Sequence, residues 1–439
     1  MPYSADVRKE YIKNFMATHQ PINTKKVFYK NRSHELKVYN LSLDYLIFNQ
    51  FNDRIAVEMR TREAMLGIAS EEYSQKLEDL ICDILWNDRN SLNKKTLESL
   101  RERDQEVPGV VTLDGVLIDG NRRAMLLKKH LKRADMEVAV LEEELNNDSK
   151  WIRQLETQIQ FGTDEKVDYE PIAKYLKIKE FIEKDGLTPE DVAPLFNSEV
   201  SKIKTEYEVM CLMDEYLEYI GSPKIYTLLR FNDRSGSRED SFLTLRGNLS
   251  QLRGKSGKGN IEWAYDDSDI DDYQQIYFDY IRSECTDPKE YRELAPAGKA
   301  GGNSGGIFMN ESLFKNLVKQ HKTEVCRPVT ENFEELSDYA AKPEFANTSI
   351  EDVAKARELE WQQQVKNKMK GNLKAAIRQN DEEKNNYSSS WHLKKAWEQL
   401  EKITEDDLEL SDFIESEENK GFVKTINTKI YHIKKAMGL

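Results

Sequence analysis

Residues 110–130 read Val-Val-Thr-Leu-Asp-Gly-Val-Leu-Ile-Asp-Gly-Asn-Arg-Arg-Ala-Met-Leu-Leu-Lys-Lys-His, and the residue types best suited to chemistry are concentrated there. Gly120 carries no Cβ to keep a ligand away from the backbone, while Arg122 and Arg123 bring two guanidinium forks that match phosphate oxygens. The first N–H groups of a helix lack internal partners and sit at the positive end of its dipole, so a glycine turn opening a helix is suited to an anion. Asp119, just before the glycine, adds a carboxylate to the same turn.

Flanking residues supply the frame that positions this turn. Two β-type runs, 110–113 and 116–118, enclose Asp114-Gly115, a dipeptide suited to a two-residue hairpin because both positions tolerate positive φ. The second strand enters the Asp119–Arg123 turn directly, and residues 124–129 follow with helical spacing and a basic end. A strand-turn-helix unit is expected, with the arginines at its helix start.

Gly120-Asn121-Arg122-Arg123 resembles, residue by residue, the Gly-x-Arg-Arg turn of the ParB N-terminal domain and its relatives in the ParB/sulfiredoxin-like superfamily. Residues 41–54, Leu-Ser-Leu-Asp-Tyr-Leu-Ile-Phe-Asn-Gln-Phe-Asn-Asp-Arg, resemble that family's opening strand and its Asn/Pro-rich segment ending in Arg. Residues 155–160 resemble its Glu-Asn-x-Gln-Arg box: Glu156 matches, Thr157 replaces the Asn, Ile159-Gln160 align in part and Phe161 departs. The resemblance spans residues 36–215 and implies an α+β fold: a ParB/sulfiredoxin-like N-terminal domain, a helix-turn-helix-like helical middle and a mainly α C-terminal region.

What it implies chemically is a nucleoside triphosphate, CTP or ATP, held by Arg54, Gly120, Asn121, Arg122 and Arg123, with Mg²⁺ at Glu156 and with Asp119 and Glu156 in catalysis. Mg²⁺ usually takes one or two carboxylates with phosphate oxygens and water, which suits that assignment. Read from composition alone, Glu156 is a helix-surface residue paired with Arg153, and Arg54 an ordinary loop-end ion pair. Members of the superfamily act as CTP-dependent DNA clamps, as phosphotransferases to small hydroxyl substrates or as nucleotide-driven nucleases in phage defence. The expectation is a DNA-associated, Mg-dependent nucleoside triphosphatase acting as a switch in partition or phage defence, prokaryotic or phage in origin, cytoplasmic and homodimeric. The alternative is a DNA-binding or scaffold module without catalysis, or a ParB-like nuclease or phosphotransferase. No cysteine lies in the Asp119–Arg123 turn, which argues against sulfiredoxin chemistry and its required thiolate.

At 439 residues the chain exceeds the size at which one core keeps growing, so several domains are expected. A net charge of −14 argues against a protein that coats nucleic acid over its whole surface, while allowing a local basic face. Four scattered cysteines without a Cys-x-x-Cys pair, and no long apolar run, point to a reduced, soluble, non-membrane protein.

In chain order, residues 1–35 read as a polar, basic arm: the first sixty residues hold ten Lys/Arg against six Asp/Glu. A ParB-like nucleotide-binding domain is expected over 36–165. Within it, 36–48 form one or two strands, 70–105 two helices, 136–141 a last strand and 150–161 a helix. Residues 166–222 read as a helix-turn-helix-like helical domain, with Thr188 as N-cap, Pro189 at the first helical position, and Ser198, Ser201, Lys202 and Lys204 facing DNA. Glu199, Glu206 and Glu208 crowd that second helix and oppose phosphate attraction, which leaves structural three-helix packing equally open. Residues 223–306 are irregular, with a partial P-loop-like cluster at 253–259 and a small-residue linker at 295–306. Residues 307–439 form a helical domain for a protein partner or for dimerisation, with Trp361, Trp391 and Trp397 as packing anchors.

Overall fold

The computed structural model describes residues 2–50, 52, 55–66, 73–88, 90–145, 149–161, 170–230, 238–254, 261, 263–284, 294, 306–326, 334–346, 348–386 and 389–438. Its N-terminal part is built on a six-stranded mixed sheet in the order β1-β2-β6-β4-β5-β3. The strands are β1 (Asn23–Tyr29), β2 (Arg32–Ser42), β3 (Ile47–Phe48), β4 (Gly109–Thr112), β5 (Val116–Asp119) and β6 (Asp135–Leu141). β6 is therefore not an edge: it lies antiparallel to β2 and parallel to β4.

Alternation along each strand divides the apolar side chains between two faces. Tyr39, Leu41, Val111, Leu117, Val138 and Val140 pack on one face, with helices α1 (Ala5–Thr18), α3 (Gln75–Asp88) and α4 (Asn90–Arg103). Leu36, Val38, Val110, Ile118, Ala139 and Leu141 face the other way, against Ile152 and Leu155 of α6 (Ser149–Phe161). The α3–α4 turn is closed by Asn93, whose Nδ2 donates to the Leu85 and Trp86 carbonyls (2.9 and 2.7 Å) and satisfies orphan groups at the end of α3.

The first 35 residues are not an arm. Ile12 of α1 is fully buried, and buried Arg8 donates through Nε to the Asp114 carbonyl of the β4–β5 turn (2.8 Å). β1 pairs along its length with β2, and Val27 and Tyr29 enter the core. The basic composition misleads because Lys25 and Lys26 belong to a strand whose alternate residues face inward.

The helical middle contains α7 (Pro171–Glu183), α8 (Pro189–Val192) with a 3₁₀ turn to Phe196, and α9 (Val200–Tyr219). The Thr188 capping box and Pro189 open α8 as expected. The acidic run at 266–272 proves to be the capped start of α11 (Asp267–Ser283), where Asp266 and Asp269 form a capping box. No core boundary falls near residue 306. Ile172, Tyr216, Phe242, Tyr277 and Phe308 share one apolar cluster with Leu317 of α12 (Glu311–His321) and with Trp361 and Met369 of the long helix Ile350–Asn386.

Trp361 is a packing anchor, with the Arg282 guanidinium 4.1 Å from its ring centroid. Trp397 is not, being 57% exposed. The side chain of Trp391, the greater part of the Gly/Lys/Ser cluster (255–259) and the 295–305 segment lie outside the described residues. Among the described residues, no helix is long and apolar enough to cross a membrane.

Candidate functional site

The β4–β5 hairpin delivers the Asp119–Arg123 turn to the mouth of a cavity of about 600 Å³. Gly115 sits in the hairpin turn at φ +80°, where an added Cβ would meet the Tyr45 carbonyl oxygen at 2.5 Å. Gly120 N-caps the short helix α5 (Asn121–Met125) at φ +97°, and a Cβ there would meet Met136 Cε at 2.8 Å. Left-handed backbone and close approach both demand glycine at each position.

Three elements converge on the cavity: β1 contributes Lys25, Lys26, Val27 and Phe28, the turn contributes Asp119 to Arg123, and α6 contributes Leu155 and Gln158 to Gln160. Among the described residues, four cations, Lys25, Lys26, Arg122 and Arg123, face one carboxylate, Asp119. Arg123 Nη2 donates to Asp119 Oδ2 (3.3 Å) and its Nη1 to the Val107 carbonyl, and Lys25 Nζ donates to the same Asp119 oxygen (3.2 Å) and to Pro108 O (2.7 Å). Arg122 pairs with Asp88 of α3 (2.8 Å). Phe28 is 52% exposed at the rim although it is an aromatic residue in a strand.

Asn121 and Glu156 have a different geometry from Arg122 and Arg123. Asn121 Oδ1 accepts the Asn49 backbone N–H (3.0 Å) and its Nδ2 donates to the Leu117 carbonyl (3.0 Å), so the side chain fastens the segment after β3 to the turn. Glu156 is 1% exposed and accepts amide N–H groups from Asn49 (3.1 Å), Asn52 (3.0 Å) and Gln160 (3.2 Å). It lies behind Asn52 and Gln160, which form the cavity wall. It is not the surface residue that composition suggests, and Arg153 pairs with Asp185 instead. Arg54 lies outside the described residues.

Sequence reasoning missed Lys25, Lys26 and Phe28. The available signal was the alternation at 25–29, where Val27 and Tyr29 turn inward and leave Phe28 outside.

No family model and no curated protein matches the chain. Among solved structures it is similar to a Pnob8-like ParB-N domain, 12% identical over 65% of this chain and 97% of that one, with a TM-score of 0.34. It is also similar to the C-terminally truncated chromosome-partitioning protein ParB from Caulobacter crescentus, complexed with CTP-gamma-S: 14% identical over 49% of this chain and 96% of that one, TM-score 0.17. No residue role passes from either to this chain.

The turn before α9 and the exposed start of that helix hold the remaining expected positions. Ser201, Lys202 and Lys204 are exposed and Ser198 is half-buried. Lys204 reaches back to Glu190 (3.0 Å). Two of the three crowding acids are occupied elsewhere: Glu206 is buried against Lys174 of α7 (2.7 Å), and Glu208 pairs with Arg246 of α10 (Glu239–Leu252) at 2.7 Å.

Proposed function

We propose that the cavity between β1, the Asp119–Arg123 turn and α6 binds a nucleotide through its phosphates. The observation that carries this reading is the set of four cations around a left-handed glycine, beside an exposed aromatic ring. Phosphate oxygens compete with Asp119 for Lys25 and Arg123 and with Asp88 for Arg122, Lys26 adds a fourth cation, and Phe28 offers a face on which a base stacks. The Gly-x-Arg-Arg resemblance points the same way.

Both candidate carboxylates already have donors, Asp119 from Lys25 and Arg123 and Glu156 from three amides. That donor set does not fit a Mg²⁺ site, which needs carboxylate oxygens turned to the ion. No hydrolytic step is assigned to either residue. Calorimetric titration of the full chain with each of the four ribonucleoside triphosphates, with and without Mg²⁺, tests the proposal. One of them binds on this reading, whereas binding by none in the millimolar range or tighter removes it.

A second reading concerns DNA. With Glu206 and Glu208 paired internally, Ser201, Lys202 and Lys204 form an exposed face at the start of α9, the position that meets bases in helix-turn-helix modules. We propose this face as the DNA contact. Self-association is proposed through the last helix, Glu417–Met437, which buries none of its residues. Val423, Ile426, Ile430, Ile433 and Met437 recur at heptad spacing, and Glu417-Glu418 at one end face Lys434-Lys435 at the other, so a second copy fits antiparallel.

A further inference from the structure

We propose that Asp279, His321 and Cys326 form a binding site for one zinc-class divalent cation, with its open side on the cavity between α11 and the long helix Ile350–Asn386. The three residues come from separate turns of the helical core, far in sequence from the phosphate cavity. Asp279 lies on α11, His321 ends α12, and Cys326 ends the π-helical turn Lys322–Cys326 that follows. The wider turn brings the residue five positions on back over the same side of the helix, which puts the thiol beside the imidazole.

One ligand atom from each residue lies within 4.8 Å of the others. Asp279 and His321 are each 3% exposed, and His321 Nε2 stands 2.8 Å from Asp279 Oδ2. Tyr219 Oη donates to that same oxygen (3.0 Å) and so fixes the carboxylate's orientation. A hydroxyl that donates to a metal-binding carboxylate in this way holds it in place. Asp279 and Cys326 both line a cavity of about 710 Å³, with Arg282 and Arg357 also in its wall. Three protein ligands beside an accessible space are what an exchangeable fourth position requires.

The choice of cation follows from the donors. One thiolate, one imidazole and one carboxylate suit zinc and its neighbours, whereas Mg²⁺ and Ca²⁺ call for oxygen alone. Carboxylate and thiolate together balance two positive charges, so the loaded site is neutral in a buried setting. Burial depresses the His321 imidazole, but the hydrogen bonds and charges of Asp279 and Cys326 more than offset that, and its pKa stands at about 9. Without metal the imidazolium is therefore held by Asp279, and cation binding displaces its proton.

The test is a Co²⁺ titration of the full chain after chelation, read in the near ultraviolet where sulfur-to-cobalt charge transfer absorbs, with metal content of the untreated protein measured alongside. One equivalent binds with that band. Cys326→Ser abolishes the band while leaving the far-ultraviolet helical signal intact, because Cys326 is only half-buried. Tyr219→Phe weakens binding roughly tenfold, because the Asp279 carboxylate loses the hydroxyl that orients it. Absence of the band in the wild-type chain, or the same affinity in Cys326→Ser, overturns the proposal and leaves the trio as a buried ion pair.

Discussion

Arg123 and Glu156 illustrate how a residue's partners decide its role. Arg123 lines the cavity and shares Asp119 with Lys25, so Arg123→Ala removes a phosphate donor without leaving Asp119 unpaired. A charge-assisted hydrogen bond is worth about 2 kcal/mol, so triphosphate affinity by calorimetry falls roughly thirtyfold while the unfolding midpoint hardly moves. Glu156 gives the opposite result. In Glu156→Gln, one of the three amide donors faces another donor, and stability in denaturant falls by about 2–3 kcal/mol with an unchanged slope. Unchanged stability together with a lost Mg²⁺ dependence would instead favour the metal role that the family resemblance implies. The arginines and glycine were legible in the sequence because their chemistry is local. The burial of Glu156 was not, because it depends on Asn49 and Asn52, more than a hundred residues away in the chain.

At the scale of elements, the β4–β5 hairpin and the turn after it were readable from Asp114-Gly115 and Asp119-Gly120. Backbone strain there is testable. Gly120→Ala must hold an alanine at φ +97° against Met136, at a cost of about 1–2 kcal/mol, seen as a lowered unfolding midpoint and reduced nucleotide affinity together. The β1–β2 hairpin was not readable as part of the site. Its turn, Lys30-Asn31, lacks glycine and takes positive φ at both residues, and its lysines mimic a solvated tail. For α9, fluorescence anisotropy with duplex DNA at low and moderate salt is the check. Lys202→Glu weakens binding and lowers the salt slope, and an equal affinity in the variant removes the DNA reading.

At the scale of the whole molecule, length indicated several domains, but the small-residue stretch at 295–306 does not separate two cores among the described residues. The helical region from α7 through the long helix shares one core, in which residues as far apart in sequence as Ile172, Phe308 and Trp361 belong to the same buried cluster. Beyond that core, the apolar face of the last helix stays exposed. Light scattering of the full chain gives a dimer mass, and Ile426→Asp with Ile430→Asp returns the monomer if that helix is the interface. The central claim, that β1 and the Gly120 turn together grip phosphates, is tested most directly by amide hydrogen exchange with and without saturating triphosphate. Slowed exchange at residues 25–28 and at 119–123 in the same experiment is the expected result. Unchanged exchange in both segments, or protection confined to α7–α9, would contradict it.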